Sequence, residues 1–542
     1  MYSPILIKNT QSKIMNINLL TKKTYGIALL SALPFFALAQ KDNWQNLDLK
    51  TDTVFGISTE KAYAELLKGK KAKPVVVGII DSGVDFNHED LKTVMWKNAK
   101  EVAGNKKDDD KNGYIDDVYG WNYLGSDKGS IHHETLELTR ILKRDEAKFG
   151  QADATSVPAA DLPAFENYQK MRAEYESKLA EAKSALVSIE GFKSVIDAVV
   201  TKIGKEDPTL ADFEAFKPAN EMEGRVKDIM LTQLKTQTFK EFYNDQILKG
   251  LEYYTGQVNY NLNMDYDPRA ELQVDNYADS RERIYGNNDV IGADASHGTH
   301  VSGIVAAIRD NDLGIKGVAD QAIILPVRAV PDGDERDKDV ANAIRYAVDN
   351  GVKVINMSFG KGYSWDKKVV DEAVKYAMSK DVLIVQAAGN DNKNLDVEKS
   401  FPDRRYEGGG IADAYLVVGA SGFNDDETLK ASFSNYGKTT VDVFAPGVNI
   451  NSTIPGSKYA KFNGTSMAAP VVAGLATLIR SYYPKLSAKE VKDIIMKSVV
   501  KVDHNVNVKE GEETKSVPFA DLSVTGGIVN AYNALKLAGE KK

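Results

Sequence analysis

The chain has no cysteine among its 542 residues, which excludes a disulfide framework, a thiolate metal site and a cysteine nucleophile. It also lacks a positive excess: 69 Lys+Arg face 77 Asp+Glu, so no global field exists to hold a nucleic-acid backbone. Long apolar runs are missing apart from one 14-residue stretch near the N-terminus, short of the roughly 20 residues a membrane span needs. What is present is ordinary globular composition, 43% hydrophobic and 27% charged, which excludes disorder and fibre. Chemistry in such a chain falls to oxygen and nitrogen nucleophiles.

The first 39 residues carry Lys8, Lys13, Lys22 and Lys23 and no acid, then an apolar run from Gly26 to Ala39 ending Ala37-Leu38-Ala39. That is the pattern of a signal peptide, and Met15 opens a more typical one. The expectation is an exported protein, in the periplasm or the medium, without a membrane span. Residues 40–73 follow as a segment with one helix over Ile57–Leu67, capped by Ser58 or Thr59.

From residue 75 onward, continuous apolar runs alternate with amphipathic stretches. The runs are Val75–Ile80, Ile323–Leu325, Val352–Ile355, Val382–Val385, Leu416–Val418 and Val441–Phe444, with helix-period segments at Val340–Val348 and Val369–Met378. Strands without polar alternation are covered on both faces, which predicts a three-layer α/β fold with a mostly parallel sheet. Between 131 and 285 this rhythm stops and the chain becomes rich in Glu, Lys, Ala and Leu. Phe165, Tyr168, Met171, Tyr175, Leu179, Ala182, Leu186 and Ile189 follow helical steps, and further helices are predicted over Glu223–Leu234 and Thr238–Tyr254. We read this as an inserted all-α subdomain acting as a lid, a partner-binding arm or a substrate filter, dividing one domain into 74–130 and 286–542.

Three short segments carry chemistry. Asp81 ends the first buried strand, at the edge where parallel sheets place their sites; it is either functional or a turn former. His297 and His300 open an apolar helix among small residues, without the His-Glu-x-x-His spacing of a zinc site, so His300 reads as a hydrogen-bonded structural histidine. Ser466 stands in Gly464-Thr465-Ser466-Met467-Ala468 at a helix start, as either an N-cap or a nucleophile with backbone N–H groups around it. Pro470 then falls in the first helical turn, where no intrahelical donor is missed.

Taken together, Asp81-Ser82-Gly83-Val84-Asp85, His297-Gly298-Thr299-His300-Val301 and Gly464-Thr465-Ser466-Met467-Ala468-Ala469-Pro470 resemble the subtilisin-like serine peptidases, the subtilases, in motif and in chain order. The resemblance implies a subtilisin-like fold and a secreted endopeptidase. In it Asp81, His297 and Ser466 form the triad, Asn390 donates to the oxyanion, and Ser358, Phe359, Gly360, Ala388 and Gly389 line the substrate edges. Its partners are protein or peptide substrates. The alternative is a catalytically silent subtilase-fold scaffold that binds through the helical insertion.

Asp108, Asp110 and Asn112 with Gly113 sit at alternate positions of a calcium-loop pattern whose twelfth position is Tyr119, not Glu; Asp116 or Asp117 would substitute. We expect a structural Ca²⁺ held by Asp108, Asp110, Asn112 and Asp116.

Overall fold

In the computed structural model, which describes residues 42–511 and 513–541, the apolar runs become the middle of one large sheet. The expected signal peptide lies outside the described residues. The strands are β1 (Val75–Asp81), β2 (Trp121–Asn122), β3 (Ala322–Arg328), β4 (Val354–Met357), β5 (Leu383–Ala387), β6 (Tyr415–Ser421), β7 (Val443–Pro446), β8 (Val500–Lys501) and β9 (Gly527–Ile528). Among the described residues they run in the order β8-β9-β7-β6-β5-β4-β1-β3-β2, parallel throughout except for the β8–β9 pair.

Helices cover both faces, which is why the strands show no polar alternation. The helices used below are α1 (Glu137–Phe149), α2 (Leu162–Ile203), α3 (Ser296–Ala306), α4 (Asp337–Asp349), α5 (Lys367–Ser379) and α6 (Thr465–Tyr482). Val77 and Ile79 of β1 face a core with Val301 and Ile304 of α3 and Val471 and Val472 of α6. Ile80 faces the opposite core, with Val340 and Ile344 of α4 and Val370 and Ala373 of α5. The architecture is therefore three-layered, with every strand of the central group buried.

The N-terminal segment is richer than expected. Short helical pieces lie at Trp44–Asn46, Leu49–Asp52 and Thr59–Ala62, the last continued by a π-helical turn over Tyr63–Leu67. Ser58 does not cap its helix, because its hydroxyl is taken by Asp48 Oδ2 (2.9 Å) and Asn530 Nδ2 (2.8 Å). Tertiary partners outcompete a local cap here.

The insertion is helical, and its long helix is longer than the periodicity indicated. At 42 residues, α2 is about 63 Å long. Its two ends pack in separate cores: Phe165, Tyr168 and Met171 on Leu138, Ile141, Leu142 and Phe149, and Ile196 and Val199 with Phe213, Val226, Met230, Phe239 and Phe242, while in the middle Ala182 is buried and Tyr175 donates to Leu262 O (2.7 Å). Between them, Leu179, Leu186 and Ile189 stay half-buried. The helix expected over Thr238–Tyr254 continues to Asn261 through alternating α and π turns.

A buried ionic cluster ties the root of the insertion to the sheet domain. Glu134 accepts from Arg269 Nε (3.2 Å) and Arg336 Nε (3.0 Å); Arg269 also reaches Asp275 (2.8 Å) and Asp339. Glu137 is held by Arg140 Nε (2.6 Å) and Lys361 Nζ (2.7 Å). Burial by itself pushes Glu134 and Glu137 up. Arg336, Arg140 and Arg269 outweigh it at Glu134, and Arg140 and Lys361 at Glu137, holding both carboxyls down at about 2. A buried pair is strongly destabilising to break, because the survivor is left charged and unpaired.

Glu134→Gln and Arg269→Met should therefore each cost about 3–5 kcal/mol in urea unfolding. Since the folded carboxyls lie below their ordinary value near 4.5, this stabilisation is full above that pH and is lost as the pH falls toward 2. Glu134→Gln should flatten that acid limb; an unchanged limb and a loss under about 1 kcal/mol would remove the cluster from this role.

Candidate active site

Parallel strands put three chain reversals at one edge. The register Asp81↔Arg328, Ile80↔Met357 and Met357↔Gln386 brings the ends of β1, β4 and β5 to one level. Asp81 stands there with Ser358 and with Ala388-Gly389-Asn390.

Helix α3 starts against the end of β1, and Gly298 permits the approach: a Cβ there would lie 2.2 Å from Gly83 O and 3.1 Å from Asp81 Cβ. The contact presents His297, second residue of α3, to Asp81 with an Nδ1···Oδ1 distance of 2.7 Å. Asp81 is 2% exposed, and its Oδ1 also accepts from Ser82 N (2.8 Å), so both bonds converge on one oxygen while Oδ2 is buried without a hydrogen-bond partner among the described residues. The effect is a tautomer lock, with Nδ1–H bound to the carboxylate and Nε2 left as the base. Burial pulls the His297 imidazole down, but Asp81, through charge and hydrogen bond, and Asp294 more than offset it, so the ring titrates above an ordinary histidine. Asp294 is held near α3 by accepting from Ser296 N (2.8 Å).

Ser466 is the second residue of α6. Pro470 lies in the second turn, not the first, and so withholds the donor that Ser466 O would have received. That carbonyl accepts from Ser358 Oγ (2.8 Å) instead, while Ser466 Oγ donates to Ser358 O (3.1 Å). The reciprocal pair joins the start of α6 to the end of β4. In this state Ser466 Oγ is turned toward Ser358 rather than His297.

Asn390 is oriented by Thr465, whose N and Oγ1 both donate to Asn390 Oδ1 at 2.9 Å. With the carbonyl oxygen so occupied, the amide nitrogen is left free to donate. A Cβ on Gly464 would lie 3.5 Å from Ser466 N and 3.6 Å from Asn390 Nδ2, so the two donors border one small space. Phe359 is half-buried against the α4/α5 core beside Gly360.

The chain's residues 72–516 match the subtilase family. It belongs to that family. Among similar proteins are the Thermophilic serine proteinase of Bacillus sp. (strain AK1), 45% identical over 34% of this chain and 43% of that protein, and Subtilisin BL of Lederbergia lenta, 38% identical over 36% and 67%. The Cell wall-associated protease of Bacillus subtilis (strain 168) is 38% identical over 46% of this chain and 26% of its own length. The matched segments thus span less than half of the first and third of these relatives. Among solved structures, a protease from Pseudoalteromonas arctica is 31% identical over 47% of this chain and 74% of its own, with a TM-score of 0.37.

His300 of this subtilase is buried away from the edge. Its Nε2 lies 3.0 Å from both Ile450 O and Ala460 O, and its ring stacks on Phe462 at 4.3 Å. Burial foremost, with His297 adding, lowers it to about 4, which keeps it neutral.

The acidic loop lies elsewhere. One carboxylate oxygen each from Glu101, Asp108 and Asp110 lies within 4.8 Å of the others. Glu101 was not legible from alternate spacing, since it stands seven residues before Asp108 and joins by loop closure. Asn112 Oδ1 accepts from Tyr114 N (2.7 Å). Asp116 is outside the group: Oδ2 accepts from Lys106 N (2.8 Å), and Oδ1 is buried without a hydrogen-bond partner among the described residues. Asp117 is raised to about 6, by burial foremost, despite hydrogen bonds from Tyr346, Asn98 and Asn112.

Asp294 was also missed, although it lies three residues before His297. In an NMR titration the His297 imidazole should charge above the ordinary histidine value near 6.5, and Asp294→Asn should lower the midpoint, because one of the two carboxylates favouring the cation is removed. An unmoved midpoint would exclude Asp294 from the site's electrostatics.

Proposed function

We propose that this subtilase is an exported serine endopeptidase. The observation that carries the reading is the 2.7 Å Asp81–His297 hydrogen bond at the sheet edge that also holds Ser466 and an Asn390 amide oriented by Thr465. A silent scaffold has no need of a locked tautomer or an oriented amide donor. The lysine-bearing, acid-free leader with its apolar run supports export, and the names of the similar proteins support proteolysis.

In the reaction, Ser466 Oγ rotates from Ser358 O toward His297 Nε2, gives up its proton there and attacks the scissile carbonyl. Asp81 stabilises the imidazolium that forms. The oxyanion accepts from Asn390 Nδ2 and Ser466 N, two donors fixed before substrate arrives. His297 then protonates the leaving amine, and water attacks the acyl-enzyme by the same relay. Ser358-Phe359-Gly360 and Ala388-Gly389 flank the site as extended edges for a peptide backbone. The 131–285 insertion, whose root at 132–134 pairs with the extension of β3, would act as a lid or a substrate filter.

Glu101, Asp108 and Asp110 form an all-oxygen donor set suited to Ca²⁺. Calcium bound there would cross-link the loop before β2 and stabilise the folded state only.

Ser466→Ala should abolish hydrolysis, with a loss of about 10⁶ in kcat on the scale measured for subtilisin, and leave the fold intact. Asn390→Ala should lose roughly 10² to 10³ in kcat with KM little changed, again the subtilisin scale. Undiminished activity in Ser466→Ala would end the reading. In scanning calorimetry, Ca²⁺ at a hundredfold excess over Kd should add about 2.7 kcal/mol relative to EDTA, and Asp110→Ala should remove the difference. Identical wild-type transitions with and without Ca²⁺ would refute the metal.

A further inference from the structure

The root of the insertion carries a group of side chains that the peptidase reading does not use. Beyond β3 the chain runs to Asp332, and residues 132–134 pair alongside it: Asp332 N donates to His132 O (2.8 Å) and Glu134 N to Asp332 O (2.9 Å). Gly333, at φ +138°, makes the approach feasible, since a Cβ there would lie 2.2 Å from Glu134 O. Asn261 Nδ2 bridges Glu134 O (2.8 Å) and Asp332 O (3.2 Å) and fixes the frame.

This pairing gathers two imidazoles and a carboxylate. One ligand atom each from His132, His133 and Asp332 lies within 4.8 Å of the others. The two rings lie 4.2 Å apart, and His133 is stacked on Tyr260 at 4.1 Å with its Nδ1 2.7 Å from Asp332 Oδ2. A simple ion pair would need one histidine; the second imidazole adds a second lone pair. The histidines are half-buried and Asp332 is exposed, so the group is open to solute.

It also stands beside the catalytic pair. Arg328 donates to Ile131 O (2.5 Å) and to Ser82 O (2.8 Å), and Ser82 N in turn donates to Asp81 Oδ1. Val330 N, two residues before Asp332, lies 3.3 Å from Asp81 O.

We propose that His132, His133 and Asp332 bind a divalent transition-metal cation, with Zn²⁺ the best fit, and that its occupancy lowers hydrolysis at the adjacent cleft. Two nitrogen ligands and one carboxylate with an open fourth position suit zinc, whereas nitrogen donors select against Ca²⁺ and Mg²⁺. A dication on this edge opposes the positive charge that His297 must take up in the reaction. The second half of the proposal rests on the peptidase reading; the first does not.

The test titrates ZnCl2 by calorimetry into full-length, metal-stripped Ser466→Ala protein with Ca²⁺ present, and repeats the titration with Co²⁺ followed by its visible d–d absorption. One ion per chain is expected, bound about tenfold or more weakly in His132→Ala, in His133→Ala and in the exposed-site variant Asp332→Asn, with the nitrogen-ligated Co²⁺ bands lost in the histidine variants. Absence of binding in the parent overturns the site, as does unchanged affinity in Asp332→Asn and whichever histidine variant retains the parent's circular dichroism. With the Ser466 chain, Zn²⁺ should reduce kcat/KM reversibly to EDTA, and much less so in the His132→Ala/His133→Ala variant. Undiminished inhibition in that variant would assign the ion to His297 and overturn the regulatory half, while the calorimetry still judges the site if no hydrolysis is found at all.

Discussion

The buried ion cluster around Glu134 and Arg269 is the constraint on which the placing of the insertion depends. It joins residues 134–140 and 269–282 of the insertion's root to Arg336, Asp339 and Lys361 of the sheet domain. Charges this deep persist only when each is paired, so the partners must come together as a set. That requirement fixes where the long α2 arm leaves the body, and it holds the 132–134 segment against the extension of β3. An insertion of this length could hang freely at little entropic cost. Here it is bolted down at its base.

The sheet edge that holds Asp81, His297 and Ser466 depends on a second, smaller trade. Pro470 removes one helical hydrogen bond, and Ser358 uses the vacated Ser466 carbonyl to fasten α6 to the end of β4. A residue that ordinarily breaks helices thereby sets the position of Ser466. Thr465 does the same for Asn390 by occupying its amide oxygen.

Much of this was legible beforehand where the chemistry has local demands. Asp81, His297 and Ser466 each sit among small residues because close backbone approach is required there, as Gly298 against Gly83 O illustrates. The parallel sheet was legible because strands buried on both faces need uninterrupted apolar runs. The long helix was legible in type but not in full extent: the apolar steps read from Phe165 to Ile189 stop short of its C-terminal turns, where Ile196 and Val199 pack in a second core of their own. The role of Pro470 was misjudged by one turn: helix starts are set by hydrogen bonds that no single residue announces.

The sequence by itself determined the order and spacing of the Asp81, His297 and Ser466 motifs, the strand and helix types, and the all-oxygen character of the acidic loop, because these depend on residue type and near-neighbour spacing. Tertiary structure alone decided that Glu101 joins Asp108 and Asp110, that Asp294 biases His297, that Ser358 and Ser466 exchange hydrogen bonds across 108 residues, and that His132, His133 and Asp332 meet. The reason is physical: hydrogen bonds, ion pairs and ligand sets act over a few ångströms, and only the folded chain sets distances between residues far apart in sequence.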